Sequence, residues 1–331
     1  MMAEIDKPQR ASLQLPKESF FTMRIAVMGT GAVGGYFGAK LAAAGHEVAF
    51  VARGRHLQAL CANGLQVASF NGDLKVKNAL FTDNTAKIGA VDLVLFCVKS
   101  YDTEAGAEHL KPLVADRTRI LSLQNGVDNP DKLAGFFNPG QILPAVVYVG
   151  AQLTAPGVIT HSNGGRVIFG QGDGGTGESS KLLRQTFGDA GIPCEVSAAI
   201  QKMQWTKLLW NAPFCAIGCL ARANVKQIVE SEPLTALALD CMAEVQAAAD
   251  TRGIELRREQ FDEVMAFSRT LGPFKPSMLQ DLEAGKPLEY QAFNGIVVQT
   301  LTHAGTPAPI NQVFYATLKF LDQRIRSQLN P

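Results

Sequence analysis

The stretch RIAVMGTGAVGGYFGAKLAAAG, residues 24–45, decides the fold. Its first six residues predict a buried strand, and the segment 32–45 predicts a helix that ends at a glycine. Between them lies the pattern G-x-G-x-x-G. The first glycine permits a tight turn, the second lets a phosphate approach the backbone, and the third lets helix and strand pack closely. The stretch therefore predicts a dinucleotide-binding turn, formed by Gly29, Thr30, Gly31, Ala32, Val33 and Gly34.

Apolar segments continue to alternate with helix-like segments after this turn. Residues 47–52, 92–99 and 119–126 read as further strands. Because these strands are nearly all apolar and are separated by helices, they predict a parallel sheet covered on both faces. Two more β-rich stretches, 141–153 and 157–171, are expected to extend the sheet, the second as a hairpin by itself.

The strand signals stop near residue 199, and long helical patterns take over. We therefore predict an α/β protein, with an N-terminal Rossmann-type dinucleotide-binding domain at 23–198 and an all-helical C-terminal domain at 199–331. Residues 1–22 carry two prolines and no apolar run, and are expected to form a disordered extension. The predicted helices of the C-terminal half are 200–218, 233–252, 258–270, 277–285, 289–304 and 309–326.

The bulk composition excludes several classes of partner. With 47% hydrophobic and 18% charged residues and a formal net charge of +1, the 331 residues offer neither a nucleic-acid surface nor a membrane-binding face. Six scattered cysteines lack metal-ligand spacing, so we expect free thiols in a reducing cytoplasm and no metal site. We expect a small molecule as the partner. The apolar helical half could also support a homodimer, although burial within one subunit explains it equally well.

The second strand indicates which dinucleotide is bound. NAD enzymes usually end this strand with an acidic residue that binds the ribose 2′-hydroxyl, whereas here it ends at Arg53. A cation at this position suits the 2′-phosphate of NADP(H), the alternative being a solvated arginine. Lys99, Asn125 and Gly126 follow two other strands at the sheet edge where ligands bind, so we expect them near the nicotinamide half. The alternative for Asn125 and Gly126 is a simple turn.

The helical half places a lysine where burial makes it costly. Lys207 lies within MQWTKLLWNAPFCAIG (203–218), with Asn211 one turn later on the same face. Burying an unpaired ammonium costs several kcal/mol or lowers its pKa, so the lysine needs a partner or a function. The alternative is a side chain that extends outward to solvent. Downstream, Ser277 could bind a ligand or cap a helix, and Glu289 follows a break between helices.

These segments together resemble the ketopantoate reductases (2-dehydropantoate 2-reductases). The glycine turn, VKSYDT, QNGV, KLLWNA, SMLQDLEAGKPLE and FNG occur here in the order seen in that family, over residues 23–325. The resemblance implies an NADP-binding Rossmann domain joined to a helical domain, with the active site in the cleft between them. It also implies NADPH-dependent reduction of 2-dehydropantoate to (R)-pantoate, a step toward pantothenate and coenzyme A.

The resemblance also implies roles for individual residues. Lys207 matches the lysine thought to protonate the substrate oxygen, and Glu289 matches a glutamate near substrate and cofactor ribose. Either this glutamate or the substrate carboxylate would balance the lysine charge. Lys99 and Asn125 match cofactor-side positions. The matches on the substrate side are Asn125, Asn211, Ser277 and the asparagine of FNG, Asn294.

One position departs from the family pattern. Ketopantoate reductases commonly carry a second asparagine one turn after Asn211, where this chain has Cys215. A thiol donates and accepts hydrogen bonds weakly, so a substrate hydroxyl or carboxylate would lose a strong partner. Reduction of a different 2-oxo acid on the same fold therefore stays open. A third possibility, a non-catalytic NADP-binding sensor, predicts the loss of Lys207 or Glu289, and both are present.

Overall fold

A mixed sheet, with ten strands among the residues that the structure describes, forms the N-terminal half of the protein. The computed structural model describes residues 22–170 and 177–329, so most of the extension predicted at 1–22 lies outside the described residues. The strands follow the order β4-β3-β9-β8-β7-β6-β1-β2-β5, with β10 paired to β9. Their bounds are β1 Arg24–Met28, β2 Glu47–Val51, β3 Leu65–Ser69, β4 Leu74–Val76, β5 Leu80–Thr82, β6 Leu93–Phe96, β7 Arg119–Ser122, β8 Ile142–Ala155, β9 Val158–Phe169 and β10 Cys194–Val196.

The predicted parallel sheet is confirmed from β8 to β5. The pairs β8–β7, β7–β6, β6–β1, β1–β2 and β2–β5 are all parallel. Alternate residues of β1 pack into two different hydrophobic cores. Ile25 and Val27 belong to one core, and Ala26 and Met28 belong to the other. Such burial on both faces explains the continuous apolar runs, because side chains on either side of a covered sheet lose water.

Within the described residues, twelve α-helices surround the sheet and build the second half. The five of the N-terminal half are α1 Ala32–Ala43, α2 Gly54–Asn63, α3 Thr103–Leu110, α4 Asn129–Ala134 and α5 Glu178–Asp189. The C-terminal half packs around the mostly buried α6, as its continuous apolar pattern requires. Its helices are α6 Ile200–Ala221, α7 Val225–Glu230, α8 Glu232–Asp250, α9 Glu259–Thr270, α10 Ser277–Glu283, α11 Ile296–His303 and α12 Pro309–Leu329, with a π-helical turn at Gln291–Gly295 before α11.

The predicted separate hairpin at 157–171 is wrong over the described residues 157–170. They form no separate hairpin, since β9 runs through Val158–Phe169 as one strand antiparallel to β8. Gly164 and Gly165 have φ of +70° and +109°, and the register shifts at this level of the β8–β9 pair. The two glycines therefore make a bulge in a continuous strand rather than a chain reversal. The prediction also missed β3, β4 and β5, which are short and partly exposed.

Two structural findings concern membrane-spanning helices and the cysteines. No helix within the described residues is long and apolar enough to cross a membrane. All six cysteines carry free thiols; Cys215, Cys219 and Cys241 are buried, and Cys61 is exposed.

The glycine turn between β1 and α1 has little spare room. Gly29 has φ of +98°, and a β-carbon there would lie 2.9 Å from the carbonyl carbon of Cys97. A β-carbon on Gly34 would lie 2.3 Å from the carbonyl oxygen of Gly29 and 2.8 Å from a methyl group of Val27. A β-carbon on Gly31 meets nothing within 4 Å. The first and third glycines therefore serve packing, while the second faces open space.

We expect Gly34→Ala to destabilise the protein and Gly31→Ala to leave its stability nearly unchanged. At Gly34 the new methyl group would collide with backbone, which should cost about 1–3 kcal/mol and exceed the roughly 1 kcal/mol gained in helix propensity. Urea denaturation of both variants without cofactor measures the difference. Equal stabilities of the two variants would contradict the packing role assigned to Gly34.

Candidate active site

The glycine turn presents free amides to a ligand. The first amides of α1, those of Ala32, Val33 and Gly34, have no acceptor within the helix. Thr30, expected in the cofactor-binding turn, uses its own polar groups within the protein. Its N–H and hydroxyl both donate to the carbonyl of Val51, at 3.0 and 2.9 Å. The open space at Gly31 and the helix N-terminus fit a pyrophosphate.

His56, which the sequence analysis did not single out, fixes the turn from the other side. Its Nε2 lies 2.6 Å from the carbonyl oxygen of Thr30, and its Nδ1 accepts the N–H of Gly157 at 3.0 Å. Burial lowers the pKa of His56, which favours the neutral ring that can donate with one nitrogen and accept with the other. The turn is thus tied to both β2 and the β8–β9 connection.

Arg53 lies at the end of β2 and is the residue before α2. Its guanidinium Nη2 is 3.0 Å from Oδ2 of Asp102, which precedes α3. Its side chain is 75% exposed. The guanidinium is accordingly an ion-pair partner rather than only a solvated group, and it lies at the position predicted for a 2′-phosphate.

Lys99 joins the two halves of the molecule. Its ammonium lies 2.9 Å from Oε2 of Glu289 and 2.6 Å from Oδ2 of Asp281. The other oxygen of Glu289 accepts the N–H of Ser100 at 3.1 Å. Leu288, next to the glutamate, donates its N–H to Asp322 of α12 at 2.8 Å. Glu289 is therefore held from the sheet edge and from the helical core at once.

The charges in this cluster shift one another's pKa values. Burial alone would lower the pKa of Lys99, but the two carboxylates outweigh burial and raise it well above its ordinary value. Burial would raise the pKa of Glu289, yet the charge of Lys99 and the bonds from Lys99 and Ser100 lower it. For Asp281 burial prevails, and its pKa is raised. Glu289 is thus ionised at neutral pH.

Lys207 of α6 points into the cleft, not out to solvent. Its ammonium donates to Oδ1 of Asn125 at 2.8 Å and to the carbonyl of Val147 in β8 at 2.7 Å. It also lies 5.7 Å from the centre of the Tyr148 ring. In the described part of the chain no carboxylate is paired with it. The carboxylate of Glu289 is bonded to Lys99 and acts on the charge of Lys207 only from a distance.

The surroundings of Lys207 lower its pKa to about 8, chiefly through burial, with Cys215 and then Glu289 opposing the shift. Its two acceptors are neutral oxygens, which stabilise an ammonium less than a carboxylate does. An amine with a pKa near neutrality can both give and take a proton at physiological pH.

The cleft continues from Lys207 toward the other predicted residues. Asn211 is buried on the same face of α6 and lines a small cavity. The residues around this cavity are Gln124, Asn125, Gly126, Ala145, Val146, Gln204, Lys207, Leu208 and Asn211. A more open groove along α5 and β10 contains none of the predicted site residues.

Cys215 and Ser277 meet on the helical side. The Cys215 thiol lies 3.9 Å from the Ser277 hydroxyl, and burial raises the pKa of that thiol to about 12, so it is neutral. Ser277 is the first residue of α10, after the N-cap Pro276, and makes no capping hydrogen bond. The capping alternative for Ser277 is therefore not observed.

Asn294, expected on the substrate side, is a buried residue of the helical half. It lies in the π-helical turn with no exposed surface. Its amide nitrogen donates to the carbonyl of Ala212 in α6 at 3.1 Å and to Oδ1 of Asn311 at 2.9 Å. Its donor group is thus used inside the helical core, at the residue next to Asn211, while its Oδ1 is buried and has no hydrogen-bond partner among the described residues.

Sequence reasoning missed several contacts of the cleft. Asp281 belongs to the quoted segment SMLQDLEAGKPLE, and its position one turn after Ser277 was an available signal. The carbonyl of Val147 and the ring of Tyr148 gave no signal, because their place depends on how β8 passes α6.

Comparisons with known proteins agree with this architecture. The N-terminal half, residues 25–174, matches the family model of ketopantoate reductase PanE/ApbA. Residues 199–322 match the model of the ketopantoate reductase PanE/ApbA C terminal region. A 2-dehydropantoate 2-reductase of Mesorhizobium japonicum is 30% identical over 320 residues, covering 90% of this chain and 98% of the relative.

Solved structures show the same likeness. A PanE/ApbA family ketopantoate reductase from Ralstonia eutropha JMP134 is 33% identical, with a TM-score of 0.85 over 92% of this chain and 100% of that one. A D-mandelate dehydrogenase in complex with NADH and anilino(oxo)acetate shares the fold, with a TM-score of 0.85 over 92% of this chain and 99% of that one at 22% identity. The chain thus belongs to the ketopantoate reductase family of oxidoreductases.

Proposed function

We propose that this protein reduces the 2-oxo group of 2-dehydropantoate with NADPH to give (R)-pantoate. The observation that carries the proposal is the setting of Lys207. Two of its three N–H bonds are committed to Asn125 and Val147, which leaves one for a ligand in the cleft. The name of the Mesorhizobium relative and the family models support the substrate.

The reaction requires a proton at the C2 oxygen when hydride reaches C2. When bound, the nicotinamide supplies that hydride. Lys207 would donate its free proton to the developing alkoxide, and Asn211 on the same face would hold the oxygen or the carboxylate of the substrate. Because Lys207 has only neutral acceptors, the substrate carboxylate is the anion that complements its charge. After transfer the neutral amine suits the desolvated site, since burial penalises only the charged form.

The residues of the N-terminal half fit NADP(H). The free amides of α1 and the open space at Gly31 suit the pyrophosphate. Arg53 would hold the 2′-phosphate, for which a guanidinium offers bidentate hydrogen bonds. Lys99, Asn125 and Gly126 follow β6 and β7 at the same edge, next to Glu289, and would face the nicotinamide half.

A different 2-oxo acid is the second candidate substrate, and Cys215 favours it. The thiol is fully buried, is neutral, and has Ser277 as a weak partner at 3.9 Å. A hydroxyl or carboxylate of the substrate that depends on an amide at this position would lose about 1–3 kcal/mol of interaction. The D-mandelate dehydrogenase that shares this fold shows that the fold alone does not fix the substrate.

The first experiment compares substrates and cofactors in the unmodified protein. We expect the highest kcat/KM with 2-dehydropantoate among a panel of branched, hydroxylated and aromatic 2-oxo acids, and a preference for NADPH over NADH. Steady-state oxidation of each cofactor gives these values. A clearly better 2-oxo acid would instead support the second candidate.

Cys215→Asn tests whether the thiol of Cys215 determines the substrate preference. If the thiol weakens binding of 2-dehydropantoate, the amide should raise kcat/KM for this substrate about 10- to 100-fold, as expected for one restored buried hydrogen bond. Cys219→Ser, one turn further along α6, is the control for a polar change in the buried helix. An unchanged ratio of kcat/KM values across the panel would show that Cys215 does not select the substrate.

Replacement of Lys207 should remove the proton donor. We expect Lys207→Ala to lower kcat for 2-dehydropantoate by about 10²–10⁴-fold. Lys207→Arg should fare no better, since a guanidinium keeps the charge but does not release a proton at neutral pH. Lys202→Ala on the same helix is the control and should match the parent. A kcat for Lys207→Ala within about tenfold of the parent would rule out the general-acid role.

The pH dependence of the rate should report the lowered pKa of Lys207. Reduction needs the ammonium, so kcat/KM should be level below this pKa and fall as the pH rises through about 8. Oxidation of the product needs the neutral amine and should rise over the same interval. A bound carboxylate stabilises the ammonium, so the break in kcat should lie at higher pH than that in kcat/KM. A profile for reduction that stays flat to pH 10 would exclude Lys207 as the donor.

A further inference from the structure

The ion pair between Arg53 and Asp102 crosses the glycine turn. Arg53 follows β2 and Asp102 follows β6, and these two strands flank β1 on opposite sides. A contact of 3.0 Å between their side chains therefore spans the carboxyl end of β1, where the turn begins. It lies at the place where the adenosine half of a dinucleotide enters a sheet of this type.

Asp102 does not use its carboxylate for the helix that it precedes. It is the N-cap residue of α3, a position where aspartate normally accepts an amide of the first turn. Here its side chain makes no capping hydrogen bond. Among the described residues, the guanidinium of Arg53 is its one ion-pair partner. The carboxylate is thus directed at the cation that NADP(H) would need.

The consequence differs between the two nicotinamide dinucleotides. The 2′-phosphate of NADP(H) would have to displace Asp102 from Arg53, and the displaced carboxylate would remain close to the phosphate with the same sign of charge. NAD(H) lacks this phosphate and leaves the ion pair intact. The same carboxylate could also accept a hydrogen bond from a ribose hydroxyl. This bond would likewise favour NAD(H) over NADP(H).

We propose that Asp102 is a specificity-determining residue, which lowers the preference for NADP(H) over NAD(H) by competing with the 2′-phosphate for Arg53. The proposal rests on the proposed function only in its use of a nicotinamide dinucleotide at the glycine turn. Since the side chains of Arg53 and Asp102 are 75% and 37% exposed, their contact adds little to the stability of the fold. Replacement of Asp102 thus tests nucleotide selection in a folded protein.

The experiment measures equilibrium binding of NADP⁺ and NAD⁺ to Asp102→Asn by isothermal titration calorimetry. We expect NADP⁺ to bind about three- to tenfold more tightly than to the parent, from the loss of an exposed ion pair and of a like charge. NAD⁺ should bind no more tightly than to the parent. Glu104→Gln is the matched control, because it removes the same charge from an exposed position two residues later and should change neither constant.

Two further measurements locate the effect. Adenosine 2′,5′-bisphosphate and AMP lack the nicotinamide half, so they should reproduce the difference if it arises at the 2′-phosphate. In an Arg53→Ala background, Asp102→Asn should improve NADP⁺ binding less than it does with Arg53 in place, because the competition has been removed. Thermal unfolding of each variant should match the parent.

Each other outcome overturns the proposal in a recognisable way. If the parent binds NADP⁺ and Asp102→Asn leaves its affinity unchanged or weaker, Asp102 does not compete for Arg53, while the proposed function stands. An equal gain for both nucleotides would assign the effect to general charge. If the parent binds neither nucleotide, the cofactor of the proposed function fails, and this inference fails with it.

Discussion

Lys99 and Glu289 lie 190 residues apart in the chain, and their contact joins the sheet to the helical half. Lys99 extends from the end of β6, whereas Glu289 is held by the N–H of Ser100 and by its neighbour's bond to Asp322. A buried carboxylate without such partners would take up a proton, and a buried ammonium would lose one. Each group therefore keeps the other charged, and the two halves of the molecule must meet for either to do so.

This pairing also sets the electrostatic state of Lys207. With Glu289 bonded to Lys99, the second lysine of the cleft is left with the neutral oxygens of Asn125 and Val147. One lysine consequently has a raised pKa and the other a lowered one. Two like residues in one cleft are thus divided into a permanent cation and a group able to exchange a proton.

The sequence predicted those parts of the molecule that depend on local pattern. The glycine turn, the parallel strands and the long helices follow from periodicity and from the steric needs of particular glycines. The bulge at Gly164 was mistaken for a turn, because left-handed glycines allow both and only the partner strand decides. The placement of Asn294 on the substrate side stays a prediction, while its hydrogen bonds to Ala212 and Asn311 depend on packing that no spacing in the chain reveals. The partners of Lys207 were hidden for the same reason.

The departures of this chain from a simple NADPH-dependent ketopantoate reductase lie at opposite ends of the cleft. Under the proposed function, Cys215 would weaken the polar wall on the substrate side without adding a charge, and Asp102 would add a charge on the adenosine side without entering the reacting centre. Neither residue takes part in the contacts of Lys99, Glu289 and Lys207 that would perform the chemistry. Under the proposed function, substrate choice and cofactor choice would therefore depend on side chains that make no hydrogen bond to Lys99, Glu289 or Lys207, although Cys215 lies close enough to Lys207 to influence its pKa.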